Sequence, residues 1–131
     1  MLNKNKTKAQ EWYAIGEREY NFARINFEDK ENKFYTEICF MFHQAVEKLL
    51  KGFLVSIDVE PPKIHDNGSL CMLCADYDKK FFDYIDDCSK LNKYYISTRY
   101  PVHFEIMPKT DAKEAFEIAK NILELIKSGK Y

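Results

Sequence analysis

The chain has 131 residues, 46% hydrophobic and 15% aromatic, enough for one domain with a ring-rich core. Its 20 basic and 21 acidic residues leave a formal net charge of −1. That excludes a global electrostatic pull toward nucleic acid or membrane, so any RNA or nucleotide site must be a local patch.

The first twelve residues, MLNKNKTKAQEW, lack the apolar region of a signal peptide. No run approaches the ~18 apolar residues of a membrane span. The expectation is a soluble, cytoplasmic protein without membrane association. Cys39 and Cys88 fall on apolar faces, where a free thiol behaves as a small hydrophobe.

Residues 1–7 are polar and expected to be disordered, with one helical domain over 8–128. From residue 8 to 28, Ala9, Tyr13, Gly16, Tyr20, Ala23 and Phe27 recur by fours and threes, which predicts an amphipathic helix. Trp12, Ile15 and Phe22 widen its seam. Gly16, costly in mid-helix, implies close approach to a neighbour.

The charged turn DKENK leads into Phe34–Ile57, the element around which the chain is organised. Two apolar series, Ile38–Phe42–Ala45–Leu49–Phe53 and Cys39–Phe42–Val46–Leu50–Phe53–Ile57, cover over half of its circumference. Such a helix must have partners on at least two sides. Gln44, Glu47, Lys48 and Lys51 form its one polar strip.

Pro61 and Pro62 break the helical pattern. Asp66 or Ser69 then caps a short helix carrying Leu70, Leu73, Cys74 and Tyr77. Phe81, Ile85, Cys88, Leu91 and Tyr95 predict a further helix from Asp78 to about Tyr95. Between Pro101 and Pro108 the period is lost, and residues 97–109 read as a long, packed loop. Asp111, with Glu114 three residues on, is the expected cap of a closing helix with core positions Ala112, Ala115, Phe116, Ala119, Ile122, Leu123 and Ile126. Ser128-Gly129 ends it. The predicted fold is all-α: an up-and-down bundle of four main helices plus one short helix.

The chain has only three arginines, so Arg99 stands out. With Tyr100 and His103 it brings bidentate phosphate donors and a proton-transfer group into one loop. The alternative reading pairs Arg99 with an acid such as Glu47. Lys63, His65 and Asp66 form a second cluster, whose structural reading is a solvated lysine beside a helix cap. His43 reads as a satisfied core histidine or part of a polar cluster. Cys71-x-x-Cys74 lacks the second ligand pair of a zinc site, and no metal or cofactor is expected.

Five stretches carry a family resemblance: Trp12 with Gly16, Glu19, Tyr20 and Ala23; FHQAVEKLLKGFL at 42–54; PPKIHD at 61–66; Thr98-Arg99-Tyr100-Pro101; and the Ala-rich closing helix. In this order they resemble the HEPN domain family of prokaryotes over residues 9–127. The resemblance implies a helical bundle, usually a homodimer, often encoded beside a nucleotidyltransferase partner. It implies a non-catalytic module that binds nucleotide, RNA or that partner through Arg99, Tyr100, Lys63, His65, Glu47 and Lys48. The alternatives are a structural dimerisation module and the family's metal-independent ribonuclease, a toxin of a toxin–antitoxin pair. The ribonuclease would use Arg99, His103 and Tyr100. The family's ribonucleases separate arginine from histidine by four to six residues. Here three intervene, and the Arg-Tyr-Pro form resembles the binding branch.

Overall fold

The computed structural model describes residues 4–95 and 106–129, with side chains from Thr7 onward. The described residues form an all-helical bundle without strands: α1 (Lys4–Glu28), α2 (Tyr35–Ser56), α3 (Asn67–Ala75), α4 (Ile85–Lys90) and α5 (Lys109–Ser128). Two 3₁₀ segments, Lys79–Tyr84 and Leu91–Tyr94, flank α4.

α2 is the centre. Ile38, Cys39, Phe42, Ala45, Val46, Leu49, Leu50 and Phe53 are all buried, as both apolar series expect; Leu54 joins them, and Ile57 at the end of the second series is only partly buried. Each fully buried Leu or Phe contributes about 1.5–3 kcal/mol. α1 packs along α2 through Ala9, Tyr13, Tyr20 and Ala23. α5 closes the other side, where Phe116 stacks on Phe42 at 5.6 Å.

The α1–α2 approach is close at two glycines, as Gly16 implied. A Cβ on Gly16 would lie 3.0 Å from Leu49 Cδ2, and one on Gly52 only 2.6 Å from Tyr13 Cε1. α1 begins at Lys4, four residues before the periodic seam becomes legible. Ile15 and Phe22 do not widen that seam. They are 49% and 57% exposed, because α2 covers only the Ala9–Tyr13–Gly16–Tyr20–Ala23 edge.

α2 ends in a Schellman motif. Val59 N–H donates to Leu54 O at 2.9 Å and Asp58 N–H to Val55 O at 3.1 Å. The motif places Asp58 at φ 63°, where glycine is the usual occupant. The chain then turns back, and residues 58–66 return toward the polar strip of α2. Asp66 caps α3, accepting from Ser69 N–H at 3.0 Å, which decides between the two expected caps.

The expected continuous helix over 78–95 is replaced by 3₁₀, α and 3₁₀ segments. Asp78 accepts from Lys80 N–H, tightening the start. Leu91 and Tyr94, three residues apart and both buried, suit the three-residue repeat of the second 3₁₀ segment. Tyr94 rather than Tyr95 therefore faces the core. The expected cap of α5 is also corrected. Pro108 holds the N-cap position without a side-chain bond, and Asp111 lies within the first turn. There it accepts from the Tyr94 hydroxyl at 2.7 Å and the Lys93 ammonium at 3.1 Å. The Tyr94 hydrogen bond, with Lys93 beside it, holds Asp111 below the usual carboxylate range. Gly129 follows the last turn, as expected.

Candidate functional site

The polar strip of α2 is not a wet face. Glu47 and Lys51 are 4% and 7% exposed, and the returning 58–66 segment lies beside them, with His65 on Glu47. Lys51 Nζ donates to Glu47 Oε2 at 3.1 Å. His65 Nδ1 approaches Glu47 Oε1 at 3.0 Å and Oε2 at 3.2 Å. A carboxylate only accepts, so the Nδ1 of His65 carries the proton. The His65 ring stacks on Tyr95, centroids 4.7 Å apart and planes 14° apart, and its side chain remains half exposed.

His43 lies fully buried beneath this pair and bonds His65 O through Nε2 at 2.9 Å. Burial lowers its proton affinity and keeps the ring neutral. The single ring proton must then sit on Nε2 to meet the carbonyl. Nδ1 lies 3.2 Å from Gln44 Oε1, and as a bare acceptor it is met by a donor only when that amide is turned by half a turn. Asn67 Nδ2 donates to His43 O at 3.1 Å. Asn92 joins the turn from the other side: its Oδ1 accepts from Asn67 N–H at 2.8 Å, and its Nδ2 donates to Asp66 at 2.7 Å. The backbone amide of Ser69, with Asn92, holds Asp66 below the ordinary carboxylate range. His65 is thus fixed through its ring, its carbonyl and the residue that follows it.

Beside this network lies a cavity of about 550 Å³ between α1, the end of α2 and the returning segment. Val55, Val59, Pro61 and Pro62 supply apolar walls and Trp12 an aromatic one. Lys8 and Lys63 are its exposed cations, and neither forms an ion pair among the described residues. Lys51 also lines it, which joins the cavity to Glu47 and His65 through consecutive hydrogen bonds. Asp58 and Glu60 add carboxylates.

Of the residues singled out in the sequence, Glu47 and His65 meet directly and Lys63 lines the adjoining cavity. Lys48 turns elsewhere. Its Nζ bonds Glu19 Oε1 at 2.8 Å and ties α2 to α1. Arg99, Tyr100 and His103 lie outside the described residues. Glu47, the alternative partner suggested for Arg99, is engaged by Lys51 and His65. Lys51, Trp12 and Tyr95 enter the sequence reading only as helix positions, and Lys8 and Asn92 do not enter it as site residues. A Glu–Lys pair at i, i+4 was the available signal for Lys51. Cys71 and Cys74 are buried, and their thiols bond Phe81 O and Leu50 O.

The HEPN domain family matches residues 9–129. The chain belongs to the HEPN family. Two crystal structures resemble this HEPN domain along nearly its full length. An archaeal HEPN homologue shares 26% identity at a TM-score of 0.71, covering 92% of this chain and 96% of its own. A protein from Thermus thermophilus shares 25% identity at a TM-score of 0.74, covering 92% and 97%. No curated protein matches the chain. Among the described residues, no helix is long and apolar enough to cross a membrane.

Proposed function

We propose that this HEPN domain is a non-catalytic module that binds nucleotide or RNA and works as a homodimer. The observation that carries the reading is one cavity that combines Trp12, Lys8 and Lys63 over apolar walls. An indole face stacks any base, at about 1–3 kcal/mol per base. Two ammonium groups without an ion pair among the described residues suit a phosphate, and the carboxylate of Glu60 can accept from sugar hydroxyls or base N–H groups. Arg99 and Tyr100 are proposed, on the family resemblance, to complete the phosphate grip.

The homodimer is supported by α1. Ile15, Phe22 and Ile25 are 49%, 57% and 58% exposed and follow one another along one outer row. A nucleotidyltransferase is the other partner that the family resemblance suggests, bound through the Arg99, Tyr100 and Lys63 cleft.

Trp12 is the only tryptophan in the chain, so its fluorescence reports directly on the cavity. Titration with AMP or an eight-nucleotide RNA should change that fluorescence saturably. Lys63→Ala and Arg99→Ala should each weaken binding about tenfold, the loss of one charge-assisted contact. An unresponsive Trp12 together with no calorimetric binding of either probe overturns the proposal.

A further inference from the structure

From the geometry around Glu47 we infer that His65 reads a ribose hydroxyl of the bound ligand, so that the site selects ribonucleotides over deoxyribonucleotides. The inference rests on the nucleotide- or RNA-binding reading above and adds the chemistry that discriminates the sugar.

The argument begins with the proton. Glu47 takes the Nδ1–H of His65, so in the neutral ring Nε2 is left as a lone-pair acceptor. No other residue among those described occupies Nε2, and the side chain is 50% exposed. An uncharged acceptor cannot hold a phosphate oxygen, which has no hydrogen to offer. It requires an O–H or N–H donor. The cations nearby have the opposite bias: Lys8 and Lys63 only donate, and therefore suit phosphate.

The acceptor is also rigid. Glu47 fixes the tautomer, Tyr95 fixes the ring plane, and His43 holds the His65 carbonyl. Asn92 pins Asp66 one residue on. A side chain held this firmly loses little entropy when it receives a ligand. Lys63, on the cavity wall, is two residues away in the chain, which places the two Cα atoms within about 7 Å. A single ligand spans that distance, with phosphate at Lys63 and sugar at His65. The 2′-hydroxyl is the group that separates RNA from DNA at such a site.

The test compares an eight-nucleotide oligouridylate with the oligodeoxyuridylate of the same length, so that only the sugar differs. AMP and 2′-deoxyadenosine monophosphate run in parallel and distinguish a strand from a free nucleotide as the source of the ribose. The wild type should prefer the ribo form about five- to tenfold, the net worth of one hydrogen bond. His65→Phe keeps a ring on Tyr95 but removes the acceptor together with the Nδ1 donor to Glu47, so its helix content is checked by circular dichroism. It should abolish the preference, so that ribo and deoxy forms bind equally. Lys63→Ala should weaken both forms equally. Equal wild-type affinity for the two sugars, or a preference that survives His65→Phe, overturns the inference. Nitrogen-15 shifts of the His65 ring give an independent check: a proton on Nε2 in the neutral ring overturns it even where RNA binds. Failure of every probe to bind overturns the binding reading itself, and the sugar assignment falls with it.

Discussion

Replacing Glu47 with glutamine keeps the shape of the side chain and removes its charge. Lys51, whose side chain is only 9% exposed, then loses the counter-charge 3.1 Å away. At an effective dielectric of about 20, that attraction is worth about 5 kcal/mol before desolvation is counted. Breaking one side of a buried pair costs about 3–5 kcal/mol. Lys51 also lines the cavity, through which water can reach it, so the lower value of about 3 kcal/mol is expected here. With a urea slope of about 1.5 kcal/mol/M, the unfolding midpoint should fall by about 2 M. Trp12 fluorescence and far-ultraviolet circular dichroism follow the transition. Lys51→Met should cost a similar amount. The double variant Glu47→Leu/Lys51→Met should recover most of the loss, because well-packed apolar residues replace a buried pair at little or no cost. A midpoint shift below about 0.5 M for Glu47→Gln would refute the idea that this pair is energetically buried.

Gly52→Ala should destabilise by up to about 2 kcal/mol: overpacking against the Tyr13 ring costs about 1–3 and the gain in helix propensity returns about 1. Gly16→Ala, whose nearest neighbour is a methyl at 3.0 Å, should cost less, and urea midpoints of the two rank them. Acid should reduce stability in two stages. His43 has a depressed proton affinity, so its contribution is full above its ordinary value of 6.5 and declines as pH falls below it. Asp66 and Asp111 are depressed as well, so theirs is full above 3.8 and is lost on further acidification. Asp66→Asn retains a capping side chain without a titrating group and should reduce the second stage to the part Asp111 supplies while leaving the first unchanged, measured as urea midpoint against pH. Phe22→Glu should convert a dimer to a monomer in light scattering with helix content intact, and an unchanged mass would exclude the α1 row as the interface.

The fold was legible because α2 states it. A helix apolar over half its circumference has to be enclosed, and α1 and α5 offer matching stripes at the same spacing. Gly16 announced its own close contact. What escaped was whatever depends on distant partners. Ile15 and Phe22 sit one helical step beside buried positions, and only the width of α2's footprint decides that they stay outside. The break in the 78–95 helix was written in the three-residue step from Leu91 to Tyr94, which the alternative four-residue step to Tyr95 concealed. Asp111 has the composition of a cap, yet Tyr94 and Lys93 claim its carboxylate.

The same reasoning explains why the candidate site was only half visible. Glu47 and Lys51 at i, i+4 satisfy the pattern of an exposed helical ion pair. The pattern contains nothing that distinguishes a wet pair from a buried one, because what buries it arrives 18 residues later as His65. Pro61 and Pro62 lie in the stretch that returns this histidine, and Asn92 locks the turn that follows. A buried carboxylate with a lysine on one oxygen and an imidazole on the other is fully satisfied from within. Its outward effect is therefore confined to the tautomer of His65. On the ribose-reading proposal, the polar strip serves to present Nε2 of His65 at the surface as an acceptor, beside lysines that can only donate.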